Sequence, residues 1–526
     1  MAVPIIPVAA FSILACLFVY RFIVVPAFLS PLSKFPSAHW SAPFSNLWIL
    51  YHRSREQETP TVHALHQRLG DVVRLGPNDL SVNCVDNGIR NIYSGGYEKG
   101  DWYSNAFSNY GVTNMPMFAM PDHGSHSKRK RMLSNIYAKS TLQTSEPLAA
   151  ISRILLKERL LPRLRDESKA GRPVDLYFTF CAITHDFVAA YCFGLKSGSD
   201  FVRLPDSGEK FFFDYKARQR YQFWGQDLPQ FTALMAKIGW RIVPQWVNQA
   251  NADIEAMILR MADGAEATLP EIEQGQSKPE DYPTVYSHLR TALYKDTAKA
   301  NSELTQSDFV EEYRKTIASE MLDHTLAGFD TSSITLTFHA WELSRPHNAK
   351  WQEQLREELR TIDGPLDSKA VDSLPILNAT LMESLRLHAA IPGNQPRITP
   401  ANAVLGEISD IPAGVRVQSQ AWSLHRNPRV FPSPDSWLPE RWLESSETQL
   451  KEMNRWFWAF GSGGRMCVGS NLAMYDMKAI IASVWREFET SVVFDEGMVH
   501  NGGYVAEPVG KDGKFMLANL KQVDLP

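Results

Sequence analysis

A chain of 526 residues with 44% apolar residues and a formal net charge of -4 can bury a large core, and it has no charge excess that would draw it to nucleic acid. Its five cysteines, Cys16, Cys84, Cys181, Cys192 and Cys467, form no CxxC pair, which argues against a zinc site. Their odd, scattered placement argues against a disulfide framework and fits a reducing compartment.

The N-terminus is the compositional outlier. Residues 3–20 carry no charge, and residues 22–29 continue the apolar run after Arg21. As a helix the first stretch spans about 27 Å, close to a hydrocarbon core of roughly 30 Å. No basic segment precedes it and no small-residue cleavage site follows, so an anchor is expected rather than a removed signal peptide. Arg21 and Lys34 lie on its C-terminal side, which keeps the body of the chain cytosolic by the positive-inside rule. A buried core helix is the competing reading, with Pro4, Pro7 and Pro26 against it. The expected division is a membrane anchor over 1–30, a proline-marked hinge over 31–45 and one large domain over 46–526.

Residues 71–85 alternate apolar and polar around Gly76-Pro77-Asn78, which predicts a β-hairpin. Residues 95–121, rich in Gly, Asn, Ser, Met and aromatics, read as a long loop. From 147 to about 285 the patterning is helical. Within it, residues 211–246 are crowded with Phe, Tyr and Trp, as core packing or as a ligand or membrane surface. The longest helical signal is 305–345: Thr305 with Asp308 resembles a capping box and Pro346 marks the stop. Further helices are expected over 348–362, closed by Gly364, and from Pro375 to about His388. Short strands follow, then an irregular proline-rich stretch over 426–443. A helix follows Cys467, and the turns in 499–520 suggest a terminal hairpin. Helix dominates, with a minor β component.

Cys467 lies in FGSGGRMCVG, residues 460–469. A thiolate can bind iron only when deprotonated, and a helix starting just after it is expected to lower the thiol pKa. Gly461, Gly463, Gly464 and Gly469 let backbone pass close to a flat cofactor. Phe460 supplies apolar cover, and Arg465 a cation for a haem propionate. Cys467 is therefore read as a thiolate ligand to haem iron.

This loop resembles the haem-binding loop of the cytochrome P450 monooxygenases. Glu383-Ser384-Leu385-Arg386 resembles that family's E-x-x-R motif, Pro439-Glu440-Arg441-Trp442 its P-E-R-F/W motif, and Ala327-Gly328-Phe329-Asp330-Thr331 its oxygen-binding A-G-x-D-T motif. Order and rough spacing agree across nearly all of the chain after the anchor. The resemblance implies a mainly α fold with a minor β region, the cytochrome P450 fold, with haem b between a long central helix and the cysteine loop. It implies a buried network of Glu383, Arg386 and Arg441 that holds the segment ahead of Cys467. It also implies that Thr331 steadies oxygen while Asp330 helps deliver protons. Gly328 in mid-helix costs about 1 kcal/mol relative to Ala, and with Thr331 it is expected to open a groove for dioxygen.

His126 and, four residues on, Lys130 match the family's spacing of propionate contacts, with Arg129 as a rival to Lys130. Arg397 matches another. The remaining charges of residues 126–131 suggest a docking face for an acidic redox partner. His324 is read as a substrate contact or a structural histidine.

The expected activity is a membrane-anchored haem-thiolate monooxygenase of fungal secondary-metabolism type, in the endoplasmic reticulum membrane with its catalytic domain cytosolic. No flavin or dinucleotide fingerprint is present, so electrons from NADPH are expected through a separate cytochrome P450 reductase, with cytochrome b5 as a further donor. The expected substrate is an apolar small molecule met by residues 105–120, 211–224, 322–327, 391–395 and Tyr504. The rivals are a haem-thiolate isomerase or peroxygenase that needs no reductase, and a non-enzymatic haem or lipid binder.

Overall fold

The computed structural model describes residues 5–111, 114–299, 305–362, 364 and 366–523. Its spine is the helix Gln306–Ser344, 39 residues or about 58 Å long. The Thr305 Oγ1 accepts from the Asp308 amide at 3.2 Å and caps it. Arg345 is extended ahead of Pro346 and ends it.

The spine packs along the helix Leu176–Phe193, whose residues are buried on every side. That helix is long and apolar enough to cross a membrane, yet it is 94% buried, so its composition reflects a core position. The aromatic stretch resolves in the same direction at its start. Phe211, Phe212 and Tyr215 stack with Phe201, His185 and the spine's Phe329. Farther on, Phe231, Leu234, Ile238, Trp240 and Trp246 are exposed.

The chain is 62% helical, with the β component confined to small sheets. Val72–Gly76 and Asp79–Val82 form the expected hairpin. Arg416–Gln418 joins it in parallel, and Arg397–Ile398 completes that sheet.

Two expectations need correction. The expected loop over 95–121 contains the helix Asp101–Phe107, begun by Gly100; its residues 112–113 lie outside the described residues. Residues 499–520 are not a self-contained hairpin. The helix Ser470–Glu487 runs directly into the strand Phe488–Phe494, which pairs antiparallel with Leu517–Gln522, and Val174–Asp175 is the third strand. No Gly or Pro marks that helix-to-strand change, so only pairing with the distant strand decides it.

At the N-terminus, Ile5–Val19 is α-helical and Tyr20–Leu29 continues it with wider turns around Pro26. Over Ala9–Leu29 the mean hydropathy is 2.2 and none of it is buried, so this is not a core helix. Val3 and Pro4 lie outside the described residues. Its C-terminal end is tied to the body: the buried Arg74 donates from Nη1 to the Pro26 carbonyl at 2.8 Å.

Candidate active site

A cavity of about 1200 Å³ separates the middle of the spine from the cysteine loop. The loop is shaped by its backbone. Gly463 takes φ +70°, and a Cβ there would sit 2.1 Å from the Tyr93 carbonyl oxygen, so only glycine fits. The Cys467 amide donates to the Phe460 carbonyl at 3.0 Å and closes the turn. Cys467 is surrounded by protein but exposed on the side where it opens onto the cavity. Burial pushes its thiol pKa up, although the Gly469 amide and Lys130 pull it down. The helix Ser470–Glu487 does start where expected, but its effect is outweighed by the lost hydration of the thiolate. A cation at the sulfur would tip that balance.

The loop rests on the E-x-x-R helix, Pro375–Leu387. Glu383 and Arg386 are fully buried and paired in a fork, with Nε–Oε2 at 2.9 Å and Nη2–Oε1 at 2.7 Å. Arg441 Nε reaches Glu383 Oε1 at 3.0 Å, and Trp442 Nε1 reaches Oε2 at 2.9 Å. Arg386 also donates to the carbonyls of His425, Pro434 and Ser436. His425 carries this order forward. Its Nε2 accepts from the Trp458 amide at 2.7 Å, two residues before Phe460, which leaves Nδ1–H to donate to the Arg386 carbonyl at 2.8 Å.

Basic groups collect at one end of the cavity. Lys130 Nζ donates to the carbonyls of Gly464 and Met466 at 2.9 and 3.1 Å. Arg129 faces the other way, ion-paired to Glu320 at 2.7 Å, so Lys130 is the one beside the loop. His126 lines the cavity, and burial together with Arg465 and Lys99 pushes it down to about 3. Arg465 holds the Met120 and Pro121 carbonyls at 2.7 Å, with its pKa lowered to about 10 by burial and Arg397. Arg397 stands behind, bonded to Tyr103 Oη at 2.8 Å and lying against the Tyr93 and Tyr103 rings.

Sequence reasoning missed Lys99. It is buried over the rings of Tyr103 and Phe118, bonded to the Phe118 carbonyl, and held well below its usual pKa by burial, Arg397 and Arg465. Nothing in its loop sequence marks it. These cations depress one another, so the residues present suit a flat group carrying acidic substituents. With Cys467 as the facing donor, the fit to haem is good.

The opposite wall is the spine, from Leu322 through Asp323, Ala327 and Gly328 to Thr331 and Thr335. Gly328 answers to packing: a Cβ there would lie 2.8 Å from Val188 of the neighbouring helix. The Thr331 hydroxyl donates to the Ala327 carbonyl at 2.9 Å. Asp330 is held from the helix Pro205–Gln219: Lys216 is ion-paired with it, and Tyr215 and Gln219 bond its Oδ2 at 3.2 and 3.3 Å. His324 lines the cavity but is engaged by Tyr137 Oη at 2.7 Å and Glu320 at 3.4 Å. Asp323, within the expected substrate-contact segment 322–327, is pushed up to about 7 by burial and Glu320. Each segment expected to meet substrate contributes lining, through residues such as Asn105, Tyr215, Leu322, Ile391 and Tyr504.

The family model described as Cytochrome P450 matches residues 39–501. The chain is similar to the cytochrome P450 monooxygenase sdnE of Sordaria araneosa, with 26% identity covering 91% of this chain and 90% of that protein. It is also similar to the cytochrome P450 monooxygenase avaI of Aspergillus versicolor, 28% identical over 77% of this chain and 92% of that protein. The cytochrome P450 monooxygenase stcB of Emericella nidulans is 28% identical over 88% of this chain and 83% of that protein.

Proposed function

The chain belongs to the cytochrome P450 family, and from that premise we propose that it is a haem-thiolate monooxygenase with Cys467 as the iron ligand. One observation carries the reading: Cys467 and the Asp330-Thr331 pair line opposite walls of one cavity whose loop end is edged with cations. Thiolate-held haem b supplies dioxygen activation when bound. Lys130, Arg465 and His126 would hold its acidic side chains, with Lys99 and Arg397 adding positive potential behind them. Phe460, which lines the cavity on the cysteine loop, would supply apolar cover to that group. Glu383, Arg386 and Arg441 are structural: they fix the segment that presents Cys467. The Thr331 hydroxyl can hold a proton on the cavity side, and Asp330 can exchange protons through the groups gathered around it.

NADPH serves through a separate cytochrome P450 reductase, with cytochrome b5 as a further donor. Residues 1–30 anchor the chain in the endoplasmic reticulum membrane, 31–45 are the hinge, and the body from 46 faces the cytosol. The named relatives, all fungal monooxygenases, support a small secondary-metabolite intermediate as substrate.

The test joins a spectrum to turnover. The reduced, CO-bound absorption band of a thiolate-ligated haem is expected in the wild type and lost in Cys467→Ala, and substrate oxidation is expected to require NADPH and reductase. An unchanged band in the variant would sink the ligand assignment. Oxidation driven by peroxide alone would sink the reductase dependence.

A further inference from the structure

The geometry points to Arg218 as a specificity-determining residue that binds a carboxylate on an otherwise apolar substrate. The inference rests on the same cavity being the site of oxidation, and it narrows the substrate class.

Arg218 is the next-to-last residue of the helix Pro205–Gln219 and lines the cavity. It is half-buried. Its Nη1 donates to Asn251 Oδ1 at 2.9 Å, and its guanidinium lies 4.6 Å from the Tyr215 ring centre. Its Nε is buried without a hydrogen-bond partner. Among the described residues no carboxylate stands within ion-pairing distance of it.

The contrast with Lys216, two positions earlier, is informative. Lys216 takes Asp330 and also lies 3.9 Å from Glu507, so both nearby carboxylates converge on the lysine. Gln219 adds a hydrogen bond to Asp330. The local acids are thus committed elsewhere, and the guanidinium is left with an amide and an aromatic face. A half-buried guanidinium so placed loses hydration without gaining an acid, and this desolvation lowers its pKa. A planar fork with open N–H groups matches a carboxylate, which can accept two parallel bonds.

The surroundings extend the match. Asn251, bonded to Arg218, and Gln222 and Asn248 line the same cavity and carry no charge of their own. They can bond a carboxylate or its neighbouring oxygen without competing for Arg218. Leu322, Leu326 and Ala327, on the spine, line the same cavity as Arg218 and Cys467. A molecule with its acid at Arg218 would lay an apolar body along them. Arg241, exposed near Gln245, adds a cation on the approach.

The test uses haem-loaded full-length protein titrated with matched pairs: dodecanoic, biphenyl-4-carboxylic and dehydroabietic acid, each against its methyl ester. Binding is read from the shift of the haem absorption. In the wild type at least one acid is expected to bind about ten-fold or more tightly than its ester, the scale of a hydrogen-bonded charge. Arg218→Gln is expected to remove that preference. Arg218→Lys, which keeps the charge and loses the fork, is expected to retain only part of it. No acid preference in any pair, or a preference unchanged in Arg218→Gln, would overturn the proposal. Should the glutamine variant not fold, an undiminished preference in Arg218→Lys overturns the fork geometry. The reduced, CO-bound band of each protein is recorded in parallel. Its loss in the wild type would tell against the haem-thiolate reading, whereas its retention without acid preference tells against Arg218 alone.

Discussion

At Cys467 burial and the start of a helix pull in opposite directions. The Gly469 amide and Lys130 favour the thiolate, and loss of water disfavours it by more. The motif located the sulfur, but the sign of its pKa shift depended on the wall of protein around it. Lys130 and Arg129 make a similar point. They are adjacent on one helix, about 100° apart around its axis, and only the position of Glu320 shows which of them turns from the loop. At Thr331 the hydroxyl is tied to the Ala327 carbonyl while its residue lines the cavity. Thr331→Ala should leave haem content and the CO-bound band intact but lower product formed per NADPH oxidised. The drop should approach about 100-fold, the lower end of what positioned proton donors contribute. A full yield from the variant would remove Thr331 from proton handling.

The E-x-x-R helix shows what one element does for another. Its register puts Glu383 and Arg386 on the same face, and the sequence made that pair legible. The third partner, Arg441, is 58 positions away, and it was legible only through a second motif. His425, which joins this network to Trp458, carried no signal at all. Arg441→Met leaves Glu383 buried with one cation fewer, and a broken buried pair costs about 3–5 kcal/mol. The expected outcome is lower urea stability with reduced haem retention; unchanged stability would mean that Arg386 and Trp442 suffice. The N-terminal element divides at the hinge in a similar way. Deleting residues 2–20 should move the protein from the membrane to the soluble fraction without loss of stability. Deleting 2–30 should do the same but strand Arg74 Nη1, at about 1–3 kcal/mol. Equal stability of the two truncations would show that Pro26 is dispensable.

Across the whole molecule, buried histidines and buried carboxylates oppose each other in acid. His185, His339 and His425 are each held near 3 by burial. Below the unfolded value of about 6.5, the unfolded chain takes up protons that these folded residues refuse, so their contribution to stability falls as pH falls. Asp175 and Asp186 are each pushed up to about 6 by burial. Between there and the unfolded value near 3.9, the folded chain holds the extra protons, so stability rises as pH falls. The two sets offset each other, and removing one member exposes its slope. The stability gap between wild type and His339→Gln should narrow as pH falls from 6.5 to 5, with a slope that approaches about 1.4 kcal/mol per unit towards pH 5, measured by urea unfolding. A gap independent of pH would mean that His339 is not neutral in the fold.

The sequence by itself determined the family, the mainly helical class, the place of the cysteine loop and the length of the spine. Those properties reside in contiguous motifs and in helical periodicity, which neighbouring residues carry together. The tertiary structure decided which cations border the loop, why Gly328 is a glycine, that Lys216 holds Asp330 from 114 positions away, and that Arg218 is left without an acid among the described residues. Each of these depends on two segments meeting in space. Charge pairing and burial are properties of that meeting and leave no local pattern to be read beforehand.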